Sequence, residues 1–284
     1  MDDRPASLYR IAAVLLIAAT ALCCTLSLVC AENSDADEEV KDSGTCGPNL
    51  EWGLDEIKRL TITGTGDMVF DTPGEPPWKS YMGSITTVAV DEGVTSIADG
   101  AFYGCTSLFE VINLSEINIV KGSEENGYIA YYAKNVFTSP DDATVSSLDG
   151  EFVYGYSGDQ AYLIKYLVDS TVVDLPVNVQ EGEYIICTDL LTSPDVGQVT
   201  FPEKIVDIEE GAFGDLVFYD EDGETELDIT AYNMRGATFA NGDGKLIKQP
   251  ADNPSYDKNK MPDIVLWIAA ILSLGIIGYA AYRY

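Results

Sequence analysis

The chain repeats itself, and this limits what it can fold into more than any other feature. Residues 86–102 read TTVAVDEGVTSIADGAF and residues 197–213 read GQVTFPEKIVDIEEGAF, aligned without a gap at an offset of 111. Val88 falls on Val199, Val90 on Phe201, Val94 on Ile205 and Ile97 on Ile208, and Gly100-Ala101-Phe102 recurs as Gly211-Ala212-Phe213. Weaker copies keep the spacing. An offset of 23 places Val111, Ile117 and Val120 on Val88, Val94 and Ile97. An offset of 26 places Val173, Leu175, Pro176 and Val179 on Val199, Phe201, Pro202 and Ile205. A unit of 23–26 residues cannot bury its own apolar face, so neighbouring units are expected to stack into one continuous core. Each unit would lay a short strand along one face, turn inward at the second aliphatic pair and plug the core with Ala-Phe. Phe102 and Phe213 are therefore read as core residues and not as ligand contacts.

Within the units the apolar period is two. Leu60 and Ile62 alternate with threonines, and Val88 and Val90 alternate with Thr87 and Ala89, while Gly, Asp and Pro punctuate the runs. Only the two ends carry long apolar runs. The expected fold is mainly β.

The ends point to export. MDDRPASLYR precedes an apolar run from Ile11 to Cys30, and Val29 and Ala31 supply small residues at the −3 and −1 positions of a signal-peptidase site. Residues 1–31 are read as a signal peptide or, since the run is long enough to span a bilayer, as an uncleaved N-terminal anchor. At the other end, Ile264 to Ala281 is eighteen residues without a charge. Trp267, Tyr279 and Tyr282 stand at its margins, as in the aromatic belts of a spanning helix, and the absence of a polar stripe argues against a buried core helix. Residues 264–282 are expected to be a single transmembrane helix, holding an ectodomain from 32 to about 262 outside the cell.

Composition narrows the chemistry. The chain has 47 Asp+Glu, 16 Lys+Arg and no histidine, a net charge of −31. Such a surface repels nucleic acid and anionic membrane, and no nucleic-acid partner is expected. It suits a solvated acidic face first, and cation association or a basic partner second. Without histidine there is no Ser-His-Asp or Cys-His pair and no histidine base. Two carboxylates could form a glycosidase pair, but nothing selects one pair among so many acids. No catalytic, cofactor-binding or metal-binding residue is assigned, and the chain is not expected to be an enzyme. Cys46, Cys105 and Cys187 would remain after cleavage, an odd number that cannot all pair, and are read as small core residues with at most one disulfide.

The organisation follows. Residues 32–45 form an acidic spacer expected to be disordered, 46–84 an N-terminal β capping module, and 85–217 the repeat array with an unassigned insert at 121–147. Residues 218–248 form a trailing β module, and 249–263 a stalk with three prolines. Gly64-Thr65-Gly66 reads as a turn between strands, and Asp220–Asp228 and Asn241–Gly244 as acidic hairpin turns in preference to calcium loops. The Asn113-Leu114-Ser115 sequon falls on the core-facing position of Val90, which argues against glycosylation. Tyr128, Tyr131 and Tyr132 in the insert are either a contact patch or packing for the insert, and the sequence does not separate the two.

GVTSIADGAFYGCTSLFEV, Gly93 to Val111, resembles the repeat of the BspA-type leucine-rich-repeat surface proteins. Cys46–Met68 with Pro76–Trp78 looks like the module that opens such arrays, Leu148–Pro176 is similar to an interspersed hairpin unit, and Phe218–Gln249 to a trailing module. The resemblance implies a short, irregular leucine-rich-repeat-like solenoid ectodomain, displayed on a microbial cell and binding an extracellular protein or glycan. The departures are few but real: only two repeats are well formed, and Gly211–Asp215 has lost the cysteine position. Three roles remain open: adhesion or binding at the cell surface, structural or envelope assembly without a specific ligand, and an acidic-pair glycan hydrolase.

Overall fold

The computed structural model describes residues 41–250 except Pro73. The segments read as signal peptide or N-terminal anchor (1–31), as transmembrane helix (264–282) and as most of the spacer and stalk lie outside the described residues. Among the described residues no helix is long and apolar enough to cross a membrane.

The first half of the described chain carries β1 (Asp42–Gly47), β2 (Leu50–Leu54), β3 (Arg59–Gly64), β4 (Gly66–Asp67), β5 (Thr87–Val90), β6 (Val94–Ser96), β7 (Glu110–Asn113) and β8 (Asn135–Phe137). An antiparallel meander, β1-β2-β3, continues into the parallel stack β3-β5-β7-β8, making one sheet of six strands. β4 and β6 pair in parallel on the second face of the same coils. The coils of β3–β4 and β5–β6 thus contribute a strand to each of two faces, and their inward side chains meet in the middle. Leu60, Ile62, Val88, Val90 and Val111 are fully buried there, each contributing about 1.5–3 kcal/mol of transfer free energy.

The second half repeats the plan with different emphasis. It carries β9 (Ser146–Leu148), β10 (Phe152–Ser157), β11 (Gln160–Tyr166), β12 (Val172–Asp174), β13 (Tyr184–Ile186), β14 (Gln198–Thr200) and β15 (Ile205–Ile208). The meander β9-β10-β11 feeds the parallel stack β11-β13-β15, while β12 and β14 pair in parallel on the other face. That other face is completed by β16 (Phe218–Tyr219), β17 (Thr238–Gly242) and β18 (Lys245–Lys248), with the single-turn helix α1 (Ala231–Met234) between β16 and β17. The β17–β18 hairpin turns through Asp243 and Gly244, both at positive φ (56° and 80°) as a two-residue hairpin of this twist demands. The acidic Asn241–Gly244 stretch is therefore a turn.

The repeat offsets are the strand registers. Val88 faces Val111 across β5–β7, 23 residues on, and Val173 faces Val199 across β12–β14, 26 residues on. Phe102 and Phe213 are buried plugs. In the first half Trp78 of the capping module stacks on Phe102 (5.4 Å, 22°), and its indole N–H donates to the Ala101 carbonyl at 3.0 Å. Phe201, Phe213, Phe218 and Phe239 form the matching edge-to-face cluster in the second. The core is accordingly two clusters, one from each half, with a smaller one of Phe109, Val145, Val153, Ile164 and Cys187 at their junction.

Three expectations are corrected. The spacer does not run to 45, because β1 begins at Asp42 and is held from Lys41 on by β2. The insert 121–147, read as fitting no unit, supplies a coil of its own: β8 continues the parallel stack, and Ile129, Ala130 and Ala133 are buried in the first core. Val120, aligned with Ile97, is 49% exposed, because burial alternates along this stretch and Ile117 and Ile119 pack against the core instead.

Candidate functional site

The first half carries a surface that its core does not use. After the buried plug Ala101-Phe102, the chain must leave the coil, and Gly100 and Gly104 bracket the exit at φ 68° and 89°. Tyr103, between the plug and Gly104, is thrown outward and is 63% exposed. In the next coil Asn126, Gly127 and Tyr128 are all left-handed, with φ of 52°, 64° and 67°. Gly127 is required, since a Cβ there would lie 2.2 Å from the Ala98 carbonyl oxygen. Its own carbonyl accepts from Phe102 N–H at 2.8 Å, locking one coil to the next. At Tyr128 the same conformation costs roughly 1–2 kcal/mol, and backbone strain of this kind is often held at functional positions.

Four tyrosines line up on this edge. Tyr103 meets Tyr128 edge-to-face at 5.2 Å, Tyr128 meets Tyr131 at 5.5 Å, and Tyr131 meets Tyr132 at 4.9 Å. Tyr131 is 41% exposed and Tyr128 and Tyr132 are half-buried. The alternatives left open by the sequence separate here: Ile129, Ala130 and Ala133 pack the insert onto the coil, while the tyrosines stack on one another outside it. Their surroundings are acidic. The Glu124 carboxylate, with smaller help from slight burial and from Asp99, holds the Tyr128 phenol above its ordinary value. Burial does the same for Tyr132.

Tyr132 also opens onto a cleft of about 310 Å³ at the junction of the halves, lined by Thr106, Ser107, Lys134, Cys187 and Glu209 among others. This cleft is a clasp. Lys134 Nζ lies 2.7 Å from Glu209 Oε1, and Thr106 donates to the Asp189 carboxylate. Lys165 Nζ donates to the Gly83 carbonyl of one half at 2.9 Å and to the Asp189 carbonyl of the other at 2.7 Å. On the same side, buried Glu110 accepts from Thr144 N–H and hydroxyl, both at 3.0 Å, and from Val145 N–H at 3.3 Å. Neither the Cys187 thiol nor the Lys134 ammonium is shifted toward its nucleophilic form. Burial, then the neighbouring Glu209 carboxylate, push the Cys187 thiol up. Burial alone would lower Lys134, but the Glu209 carboxylate outweighs it and leaves the ammonium raised.

The remaining features are structural. Asn113 is buried, its amide donates to the Ile117 carbonyl at 2.8 Å, and its oxygen accepts from the Ser115 hydroxyl at 2.6 Å, so the sequon is engaged. Asp222 accepts from Thr225 and Glu224 N–H and from the Thr225 hydroxyl, which lowers its carboxyl and closes the Asp220–Asp228 loop. Among the described residues no group of three or more acidic or cysteine side chains is placed to hold a metal. Cys46, Cys105 and Cys187 are separate buried thiols, and burial pushes Cys46 up to about 11 and Cys105 to about 12.

No protein-family model matches the sequence, and no curated protein matches it. Two solved structures are similar at low level. One is a leucine-rich repeat protein from Eubacterium ventriosum, at 15% identity over 64% of this chain and 66% of that one, with a TM-score of 0.26. The other is a leucine rich cell surface protein from Faecalibacterium prausnitzii, at 16% identity over 62% of this chain and 74% of that one, with a TM-score of 0.19. This chain therefore spans just under two thirds of the first.

Sequence reasoning found Tyr128, Tyr131 and Tyr132 but missed Tyr103 and Glu110. The signal for Tyr103 was present: at the offset of 111 its counterpart is Gly214, so the plug does not need a tyrosine there. Glu110 gave no such signal, because its partners lie 34 and 35 residues further on.

Proposed function

We propose that this chain is a membrane-anchored leucine-rich-repeat surface protein whose ectodomain binds an extracellular partner through the Tyr103–Tyr132 strip. The carrying observation is that four tyrosines in mutual contact stand outside a core that closes without them. Tyrosine supplies large contact area at low entropic cost, and it is enriched at recognition surfaces for that reason. The location rests on the two apolar ends and on the sequence resemblance of Gly93–Val111. A binder is favoured over an enzyme because the chain has no histidine and the cleft at the junction holds a raised thiol and a carboxylate-paired lysine.

Two measurements test this. Proteinase shaving of intact cells should release peptides from 46–249, and their retention would remove the surface location. A screen of the full-length chain against extracellular proteins, peptides and glycans should yield binding that Tyr103→Ala with Tyr131→Ala abolishes. Binding that survives both substitutions would move the site elsewhere.

A further inference from the structure

We infer that the tyrosine strip is a docking surface for a cationic polypeptide, a lysine- or arginine-bearing segment laid across the exposed ring faces. This deepens the binding role proposed above and rests on it. Edge-to-face contacts at 74°, 68° and 85° turn successive rings through near right angles, and Tyr103 and Tyr131 are the two rings of the strip left exposed to solvent. The negative face of an aromatic ring attracts ammonium and guanidinium groups. Glu124 and Asp99 stand beside the Tyr128 phenol as counter-charges.

The lysines of the same segment are already engaged. Lys134 pairs with Glu209, and Lys121 donates to the Lys134 carbonyl at 3.0 Å. They do not compete for the ring faces. The chain's net charge of −31 draws cations toward every surface, and among the described residues it is here that the acidic field meets tyrosines both stacked and exposed. A neutral sugar would also stack on tyrosine, yet it would gain nothing from that charge. Charge complementarity therefore favours the basic polypeptide.

The test uses the full-length chain in neutral detergent and a fluorescein-labelled nona-lysine peptide, read by anisotropy at about 150 mM salt. Tyr103→Leu with Tyr131→Leu should weaken binding by roughly 10-fold, since about two cation–π contacts are lost. Tyr103→Phe with Tyr131→Phe should stay within about 2-fold, because the ring faces remain. Glu124→Gln should cost about 3-fold, and a fully acetylated peptide should not bind. Near-ultraviolet circular dichroism checks that each variant is folded. Leu variants that bind like the wild type would overturn the inference and assign the attraction to the acidic surface at large. Phe variants that fail along with the Leu variants would overturn it in favour of hydroxyl-mediated recognition. A neutral glycan whose binding needs the tyrosines when nona-lysine does not would refute the partner class while leaving the binding surface intact. If no probe depends on the tyrosines, both readings fall.

Discussion

The two halves of this protein solve one packing problem twice, and they differ in what surrounds the solution. In each, a three-stranded antiparallel meander feeds a parallel stack, and an Ala-Phe plug closes the coil. In the first half the meander widens the face that carries β5, and a tryptophan caps the plug. In the second the meander widens the opposite face, and phenylalanines from the trailing module cap it. Past the plug the paths part: the first half goes on to a further coil edged with tyrosine, whereas the second reaches Gly214 and Asp215 and is closed off by β16–β18. Duplication within one chain thus supplies an internal control. What both copies keep serves folding, and what one copy adds is available for recognition.

The comparison breaks if the cap of one half and the plug of the other do not both hold their cores together. Trp78 is fully buried and contacts Trp52, Phe70 and Phe102, so Trp78→Ala should destabilise the protein by about 4 kcal/mol. Phe213→Ala should cost a similar ~3–4 kcal/mol in the other core. Denaturant unfolding followed by tryptophan fluorescence of the Phe213→Ala variant sharpens this. A cost below about 1 kcal/mol at either residue would show that one copy is ornamental.

The second effect in size concerns the grip between the halves. In register, Glu110 faces Thr87, and only Glu110 reaches forward to the segment that leads into β9. Glu110→Ala leaves the Thr144 and Val145 N–H groups without their acceptor and should cost about 3 kcal/mol, against about 1 kcal/mol for Glu110→Gln. Urea midpoints of the two variants decide it. Equal small losses would mean that the halves are held by the junction cluster alone.

A smaller effect tests the same junction by charge. Burial, then the neighbouring Lys41 and Lys165, bring Lys58 down from 10.5 to about 8. The unfolded chain therefore holds this proton more tightly than the folded one. The resulting destabilisation is complete below pH 8, fades as pH rises from 8 to 10.5, and is gone above that. Lys58→Gln should accordingly stabilise the protein at pH 7 by about 1 kcal/mol after allowance for solvent screening. Thermal unfolding across that range should show the advantage vanishing, and a constant advantage would show that it does not come from the Lys58 charge.

Much of this architecture was legible because repetition fixes register: an apolar period copied at 23 or 26 residues is a strand partner waiting to be paired. What stayed hidden depends on partners far along the chain. The β8 strand offers only Val136 and Phe137 as apolar residues and pairs at an offset of 25, behind a left-handed turn that no periodicity announces. Which face each meander would widen, and that Glu110 would turn toward Thr144, were equally out of reach. Of the candidate surface, three tyrosines stood out by density, while Tyr103 emerges only when the two copies are laid side by side.

That last residue provides the smallest stability effect and the most direct test of the internal control. Tyr103 is 63% exposed, contacts Tyr128 at the ring edge, and stands where the other copy has glycine. Tyr103→Ala should therefore change stability by less than about 0.5 kcal/mol, as substitutions on an uncommitted surface do. Gly214→Tyr, the reciprocal change, should cost more, because Gly214 lies at φ 53° and a Cβ there already meets Thr192 at 3.3 Å. If Tyr103→Ala instead lowered the melting temperature by as much as a plug variant, the strip would be a buttress for the strained turn at Tyr128. The asymmetry between the copies would then belong to folding and not to recognition.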